Sequence, residues 1–395
     1  MKCVSHVLRI ILVTLLLSGC VQEPEQQTTA TKDKSDIQVF QDHDALLKTW
    51  ELVEFGDEHA DHYGGTQRWD EHGAELIAHW EFLHNQQYLK DLLPYLMPRN
   101  YIFYPHDIPK LPKSGYGLIQ RFYPVLEPDV IIDDGGEYAF EVGGTKFVVY
   151  SMPGAEGSDG LTVWLPEERI LFTGDLYGHI FGMWPNLTTM RGERPRYPRP
   201  YIESLNRVLE LEPEILVPSH FYPIKGKAFI KALTTKTRDA VAYVDNAVIE
   251  GMNEGKDVYT LMKEITLPEE LQLNEVHGKV SWAVRSIWEA YTGWFYHNSA
   301  TEMYAVPVTD AYPDLYEVAG GTEPLLTKAK ALFAQRALEK SLHLTEVVLE
   351  IEADHKGALS LKRDILKALL ERSGGVNHHE KNMLAYWIAE VEGRL

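Results

Sequence analysis

The spacing of apolar positions along the chain changes character near residue 225. Before that point, short β-branched and aromatic runs stand out: Lys146-Phe-Val-Val-Tyr-Ser151, Leu161-Thr-Val-Trp-Leu165, Arg169-Ile-Leu-Phe-Thr173 and Glu214-Ile-Leu-Val-Pro218. Pro, Gly and polar residues punctuate them, as expected of strands that end in turns. Leu76 to Pro98 contains no Gly and reads mostly as helix, whereas 116–142 reads as irregular. After Phe229 the apolar positions recur at helical spacing. They predict helices over 228–254, 256–266, 280–296, 322–341, 343–352, 355–372 and 376–393, separated by Gly251, Gly255, Gly320-Gly321 and Gly374-Gly375. The last four pack most simply as antiparallel pairs. The expected class is therefore α+β, a strand-rich domain over 39–225 followed by an all-helical domain over 226–395.

The first 38 residues follow neither pattern. Lys2 and Arg9 flank an apolar run from Ile10 to Leu17, followed by Leu17-Ser18-Gly19-Cys20. The run is too short to span a bilayer and reads as a signal peptide over 1–19. Leu-Ser-Gly-Cys resembles the lipobox of bacterial lipoproteins, which implies cleavage before Cys20 and lipidation of its thiol. Residues 20–38 are polar and read as a tether. Val21 follows Cys20 where an Asp would favour inner-membrane retention. The expectation is thus a bacterial cell-envelope protein, lipid-anchored to the membrane, in a diderm on the outer membrane facing the periplasm. Only two cysteines exist. Cleavage leaves one, which excludes an intramolecular disulfide, thiolate metal ligands and a cysteine nucleophile.

The 395 residues are 45% hydrophobic and 24% charged, ordinary for a globular protein, and the formal net charge of −20 excludes nucleic acid as a main partner. A negatively charged substrate then needs a local basic patch. Arg191, Arg194, Arg196 and Arg199 fall within nine positions. Arg191 is the candidate for anion binding; the other three read as a solvated loop pairing with nearby Glu.

The chemistry lies in four short motifs. Asp57-Glu-His59-Ala-Asp61-His62 comes first, then Glu156 after Pro153-Gly154-Ala155, Asp175 after Phe-Thr-Gly, and His220 after Pro-Ser. Asp57, His59 and Asp61 alternate and can face one centre, with His62 on the other side. Alone, that string could be a solvated acidic loop. With three further motifs at strand ends it supplies seven oxygen and nitrogen donors, enough for two divalent ions sharing one carboxylate. Two such ions about 3.5–4 Å apart can hold a hydroxide and clamp an ester.

These motifs resemble the metallo-β-lactamase superfamily, and within it the alkyl sulfatases. The superfamily pattern is His-x-His-x-Asp-His, a third His after Pro-Gly, a bridging Asp and a final His. Alkyl sulfatases carry Glu in place of the third His, and Glu156 stands there. They also carry Asn-Leu-x-Thr-Leu-Arg-Gly; here it is Asn186-Leu-Thr-Thr-Met-Arg191-Gly192. Val284-Arg-Ser-Ile-Trp-Glu-Ala-Tyr-Thr-Gly-Trp-Phe-Tyr-His-Asn298 is similar to the signature of the alkyl sulfatase dimerisation domain. The resemblance implies an αββα sandwich, a helical dimerisation domain and a homodimer. It implies one metal on Asp57, His59, Glu156 and Asp175, and a second on Asp61, His62, Asp175 and His220. Zinc is the first expectation, with iron or manganese as alternatives. The bound hydroxide would be the nucleophile, oriented by Asp61, with Asp175 the shared catalytic carboxylate. Asn186 and Arg191 would hold the sulfate of a small anionic ester.

Three departures shape the expectation. Asp57 stands where the pattern has His, which makes that position a harder ligand. Little chain precedes Asp57 to build leading strands of the sandwich, and no sterol-carrier-like domain follows the helices. The alternatives are a metallohydrolase for a phosphoester or lactone, and a degenerate envelope protein without catalysis. Tyr177, Phe181, Trp184, Phe221 and Tyr222 could line a pocket for an alkyl tail or pack in the core. Trp282, Trp288 and Trp294 share one predicted helix and read as packing or interface.

Overall fold

The computed structural model describes Thr66 and residues 73–395, apart from 107, 109 and 124. Cys20, Asp57, His59, Asp61 and His62 therefore lie outside the described residues. The chain divides into two compact units. One comprises residues up to Leu93, Leu118–Pro185 and Arg196–Ala242; the other comprises Pro94–Gly117, Asn186–Pro195 and Tyr243–Leu395.

In the first unit, β1 (Ile77–His79) pairs in parallel with β2 (Val130–Ile132). A six-stranded sheet follows in simple order: β3 (Glu137–Val142), β4 (Thr145–Ser151), β5 (Leu161–Leu165), β6 (Ile170–Gly174), β7 (Ile215–Pro218) and β8 (Ile224–Lys225). The four predicted strands appear as β4 to β7. β1 and β3 lie where the pattern suggested helix and irregular chain. The alternation in Glu137-Tyr-Ala-Phe-Glu-Val142 buries one side only partly, so its signal is weak. Its hairpin to β4 closes at Gly143-Gly144, with φ of 60° and 86°, the left-handed pair that a two-residue turn requires.

One face of the sheet buries Phe147, Val149, Leu161 and Val163 against Ile77 and Ile132. β6 and β7 run parallel, so a crossover must join them. It contains α3 (Pro198–Leu211), counted after α1 (Phe82–Phe103) and α2 (Lys113–Phe122). Pro198 starts α3, where a missing N–H costs nothing, and Tyr201, Ser204, Leu205 and Val208 form its buried stripe.

The remaining helices are α4 (Lys227–Asn253), α5 (Val258–Glu264), α6 (Val280–Thr292), α7 (Tyr312–Val318), α8 (Thr322–Ala334), α9 (Leu338–Ile351), α10 (Lys356–Arg372) and α11 (His378–Arg394). The second unit holds α5 to α11. The helix expected over 322–341 is two, because Arg336 turns left-handed at φ 60° without a Gly or Pro to announce it. Short loops join α8 to α11 in series, and each packs on the next. Leu325, Ala329, Val348, Ala358 and Ile365 centre one buried cluster there, and Leu359, Leu366, Leu384 and Val391 a second. The helix expected over 280–296 stops at Gly293, so Trp294 lies beyond it and is exposed. No helix among the described residues is long and apolar enough to cross a membrane.

Candidate metal centre and anion-binding segment

Asp175 follows β6 at a place where the sheet is irregular. The register of β6 against β7 shifts between Phe172 and Gly174, and Gly174 is left-handed at φ 52°. A bulge at a strand end re-aims the next side chain. Asp175 thereby lies buried beside the end of β7, where Ser219 Oγ donates to its carboxylate and His220 Nε2 lies 3.6 Å from Oδ2. Phe221, directly after His220, has φ 66°. An aromatic residue rarely adopts that conformation, and such strain concentrates at functional turns.

His179 completes the group. It lies four residues after Asp175, on the turn closed by Gly178 N–H donating to Asp175 O at 2.8 Å. Its ring stacks on His220 at 3.8 Å between centroids and 24° between planes. Asp175, His179 and His220 each offer a ligand atom within 4.8 Å of the others. One carboxylate and two imidazoles form a donor set suited to a divalent transition metal or zinc. Sequence reasoning missed His179; the spacing Asp175-x-x-x-His179 after a strand was the available signal.

Glu156 sits on the neighbouring turn. Ala155 N–H donates to Leu176 O at 3.1 Å, and a Cβ on Gly154 would lie 2.8 Å from Leu176 Cα. Only glycine allows that approach. Gly178 closes on the same turn: a Cβ there would lie 3.2 Å from Glu156 Oε1. Arg196 is not on a solvated loop as expected. It is 3% exposed, its Nε donates to Glu156 O at 2.8 Å, and its guanidinium lies 4.0 Å from the Glu156 carboxylate. Tyr201 is buried too; burial, then Tyr177 and Glu156, hold its phenol well above the ordinary tyrosine range. Both phenols stay protonated at neutral pH: burial also raises Tyr177, whose hydroxyl bonds Thr234 at 2.7 Å.

Tyr177 and Trp184 prove to be core, at 3% and 0% exposure, while Phe221 and Tyr222 are exposed.

Asn186 and Arg191 lie on Asn186–Pro195, which belongs to the second unit. Asn186 is fully buried. Arg191 pairs with Glu193 along one edge, Nε to Oε1 at 3.0 Å and Nη2 to Oε2 at 3.1 Å. Its Nη1 is 3.4 Å from the Tyr104 hydroxyl. Asp57, His59, Asp61 and His62 lie outside the described residues, so only Glu156, Asp175 and His220 of the expected ligands are placed.

Residues 58–220 match the metallo-beta-lactamase superfamily, and residues 258–390 match alkyl sulfatase dimerisation. The chain carries a metallo-β-lactamase domain followed by an alkyl sulfatase dimerisation domain. It is 26% identical over 262 residues to a linear primary-alkylsulfatase of Pseudomonas sp., covering 64% of this chain and 48% of the relative. It is 24% identical over 253 residues to the alkyl/aryl-sulfatase BDS1 of Saccharomyces cerevisiae, covering 62% and 38%. The chain spans half or less of the length of these curated relatives. The solved structure of the stereoselective inverting sec-alkylsulfatase Pisa1 from Pseudomonas sp. superposes with a TM-score of 0.73 at 20% identity, over 87% of this chain and 56% of that one. That likeness establishes the fold: the expected metallo-β-lactamase domain, then the all-helical domain.

Proposed function

We propose that this protein is a metal-dependent sulfuric ester hydrolase acting on alkyl sulfates, releasing an alcohol and sulfate. The observation that carries the reading is the convergence of Asp175, His179 and His220 at adjoining strand ends, in a chain whose helical half matches alkyl sulfatase dimerisation. Asp175, His179 and His220 would hold a divalent ion, zinc first. Glu156 and the Asp57, His59, Asp61 and His62 motif would contribute to a two-ion site, with Asp175 shared. A divalent ion there supplies Lewis acidity and lowers the pKa of its water.

The chain's own residues prepare that chemistry. Ser219 orients the Asp175 carboxylate by donating to it. Arg196 and its hydrogen bond to Glu156 O hold the Glu156 turn. Asn186 and Arg191 bind the sulfate in our reading, because a planar guanidinium suits a tetrahedral oxyanion and a lactone would need no such group. The dimerisation domain supports a homodimer. Leu17-Ser-Gly-Cys20 supports lipidation at Cys20 and a place in the cell envelope, on the outer membrane in a diderm.

The test is metal content per chain by inductively coupled plasma mass spectrometry, with sulfate release from octyl sulfate. Zinc, iron or manganese near two per chain is the expected result. Asp175→Asn should lower metal affinity by more than the roughly 10–100-fold typical of an outer-sphere partner, and abolish sulfate release with it. Arg191→Ala should cost about 1.5–3 kcal/mol of binding to the charged ester, seen as a raised KM, the cost of losing a hydrogen bond to a charged group. A folded protein that takes up no metal would end this reading.

A further inference from the structure

Arg191 is held by an assembly far larger than its motif. Arg99, on α1, donates from Nε to Arg191 O at 2.7 Å and from Nη2 to Met190 O at 3.0 Å. Gly192 is left-handed at φ 91°, and a Cβ there would come within 3.3 Å of Arg99 Nε. The backbone carrying Arg191 is thus pinned to α1. The side chain is placed separately. Its guanidinium carbon lies 5.4 Å from the centre of the Tyr104 ring, a cation–π distance, with Nη1 at the Tyr104 hydroxyl.

Tyr104 is itself fixed by α11. Its ring stacks on His378 at 5.2 Å and 29°. His378 Nε2 is 3.0 Å from Phe103 O. Asn382 Nδ2 donates to the same carbonyl at 2.8 Å. Asn382 Nδ2 also lies 3.1 Å from His378 Nε2, so the carbonyl, the amide and the ring form one cluster. Burial, and then the positive charges of Arg191 and Lys381, hold His378 below the ordinary histidine range, against the Phe103 hydrogen bond. A neutral ring can stack here without repelling Arg191. The start of α11 is locked in turn: Asn377 caps it through Glu380 N–H, and its amide donates to Glu275 O and His277 O, both at 2.9 Å.

We propose that Tyr104 and His378 are positioning residues for Arg191, so that the last helix of the dimerisation domain sets the orientation of the guanidinium that receives the sulfate. The proposal rests on reading Arg191 as the sulfate-binding residue. It makes α11 a working part of the substrate site rather than only a scaffold for assembly. Neither Tyr104 nor His378 need touch substrate; Tyr104 acts through the ring face it presents to Arg191, and His378 acts through Tyr104.

The experiment is calorimetric binding of octyl sulfate to the full chain, with melting curves for every variant and KM and kcat where turnover is seen. Arg191→Ala should weaken binding at least tenfold. Tyr104→Leu and His378→Ala should weaken it about fivefold, the scale of a lost cation–π contact. Tyr104→Phe and His378→Phe, which keep a ring to stack, should stay within about twofold of wild type on the same scale. In turnover, Tyr104→Leu should raise KM and leave kcat, which a general loss of folding would not do. Unchanged binding in Arg191→Ala, or none in the wild type, overturns the sulfate role of Arg191 and this proposal with it. Weak binding in Arg191→Ala beside wild-type binding in Tyr104→Leu and His378→Ala overturns the positioning role alone. If Tyr104→Leu does not fold, His378→Ala at the far end of the stack decides the matter in the same way.

Discussion

Arg191 and Arg196 stand five positions apart in one basic cluster, yet they are held in different units by different means. Arg196 belongs to the first unit and is buried on the Glu156 turn, 40 positions back along the chain. Its bonds go to a backbone carbonyl and a carboxylate beside the candidate metal centre. Arg191 belongs to the second unit, pairs with Glu193 two residues on, and rests on the side chains of Tyr104 and, behind it, His378. A run of like charges therefore has no common role. One arginine fixes the Glu156 turn; the other is a cation kept in a prepared orientation.

The comparison breaks first at Arg196. Arg196→Met removes the cation from a carboxylate whose side chain is 4% exposed. Breaking that buried ion pair from one side should cost about 3 kcal/mol in urea unfolding of the metal-free protein. Added zinc should narrow that deficit if Glu156 is a ligand, because the ion then compensates the carboxylate. An equal deficit with and without zinc would remove Glu156 from the metal set.

The helical unit has its own sensitivity, through acid. His379 is fully buried, meets Phe103 edge-on at 5.1 Å, and among the described residues has no hydrogen-bond partner at Nε2. Burial first, and then Arg191 and His378, push its pKa down from 6.5 to about 3. A histidine depressed on folding adds stability that is complete above pH 6.5 and is lost as pH falls toward 3. At about 1.4 kcal/mol per pH unit, roughly 2 kcal/mol should go between pH 6.5 and 5. His379→Phe should flatten that part of the curve; an unchanged slope would place the acid sensitivity elsewhere.

The smallest effect sharpens the Arg191 side. Glu193→Gln removes the carboxylate that occupies one edge of the guanidinium. It should lower stability by about 1 kcal/mol, and inorganic sulfate should restore the melting temperature more in this variant than in the wild type. No difference in the response to sulfate would mean that Arg191 does not receive that anion.

The legible parts of the molecule share one property: their causes are local. β4 to β7 were visible because each is a compact apolar run ending at Pro or Gly. Asp175 and His220 were legible as candidates because each sits inside a short motif at a strand end, and the structure brings the two together. His179 was missed because no familiar motif contains it; only the bulge after Phe172 and the turn at Gly178 bring it beside Asp175 and His220. The break at Arg336 was hidden because nothing in its side chain demands the left-handed conformation.

The sequence by itself determined the α+β order of domains, half of the described strands, most of the described helices, and the residue types that can bind metal. Those depend on periodicity and turn chemistry, which act over a few positions. The tertiary structure alone decided that Arg196 locks the Glu156 turn, that His179 joins Asp175 and His220, and that Tyr104 and His378 stand behind Arg191. Each of these is a meeting of side chains, most of them from segments tens to hundreds of positions apart. Their energies come from burial, stacking and ion pairing, which are set by where the chain returns and not by what lies beside a residue in the sequence.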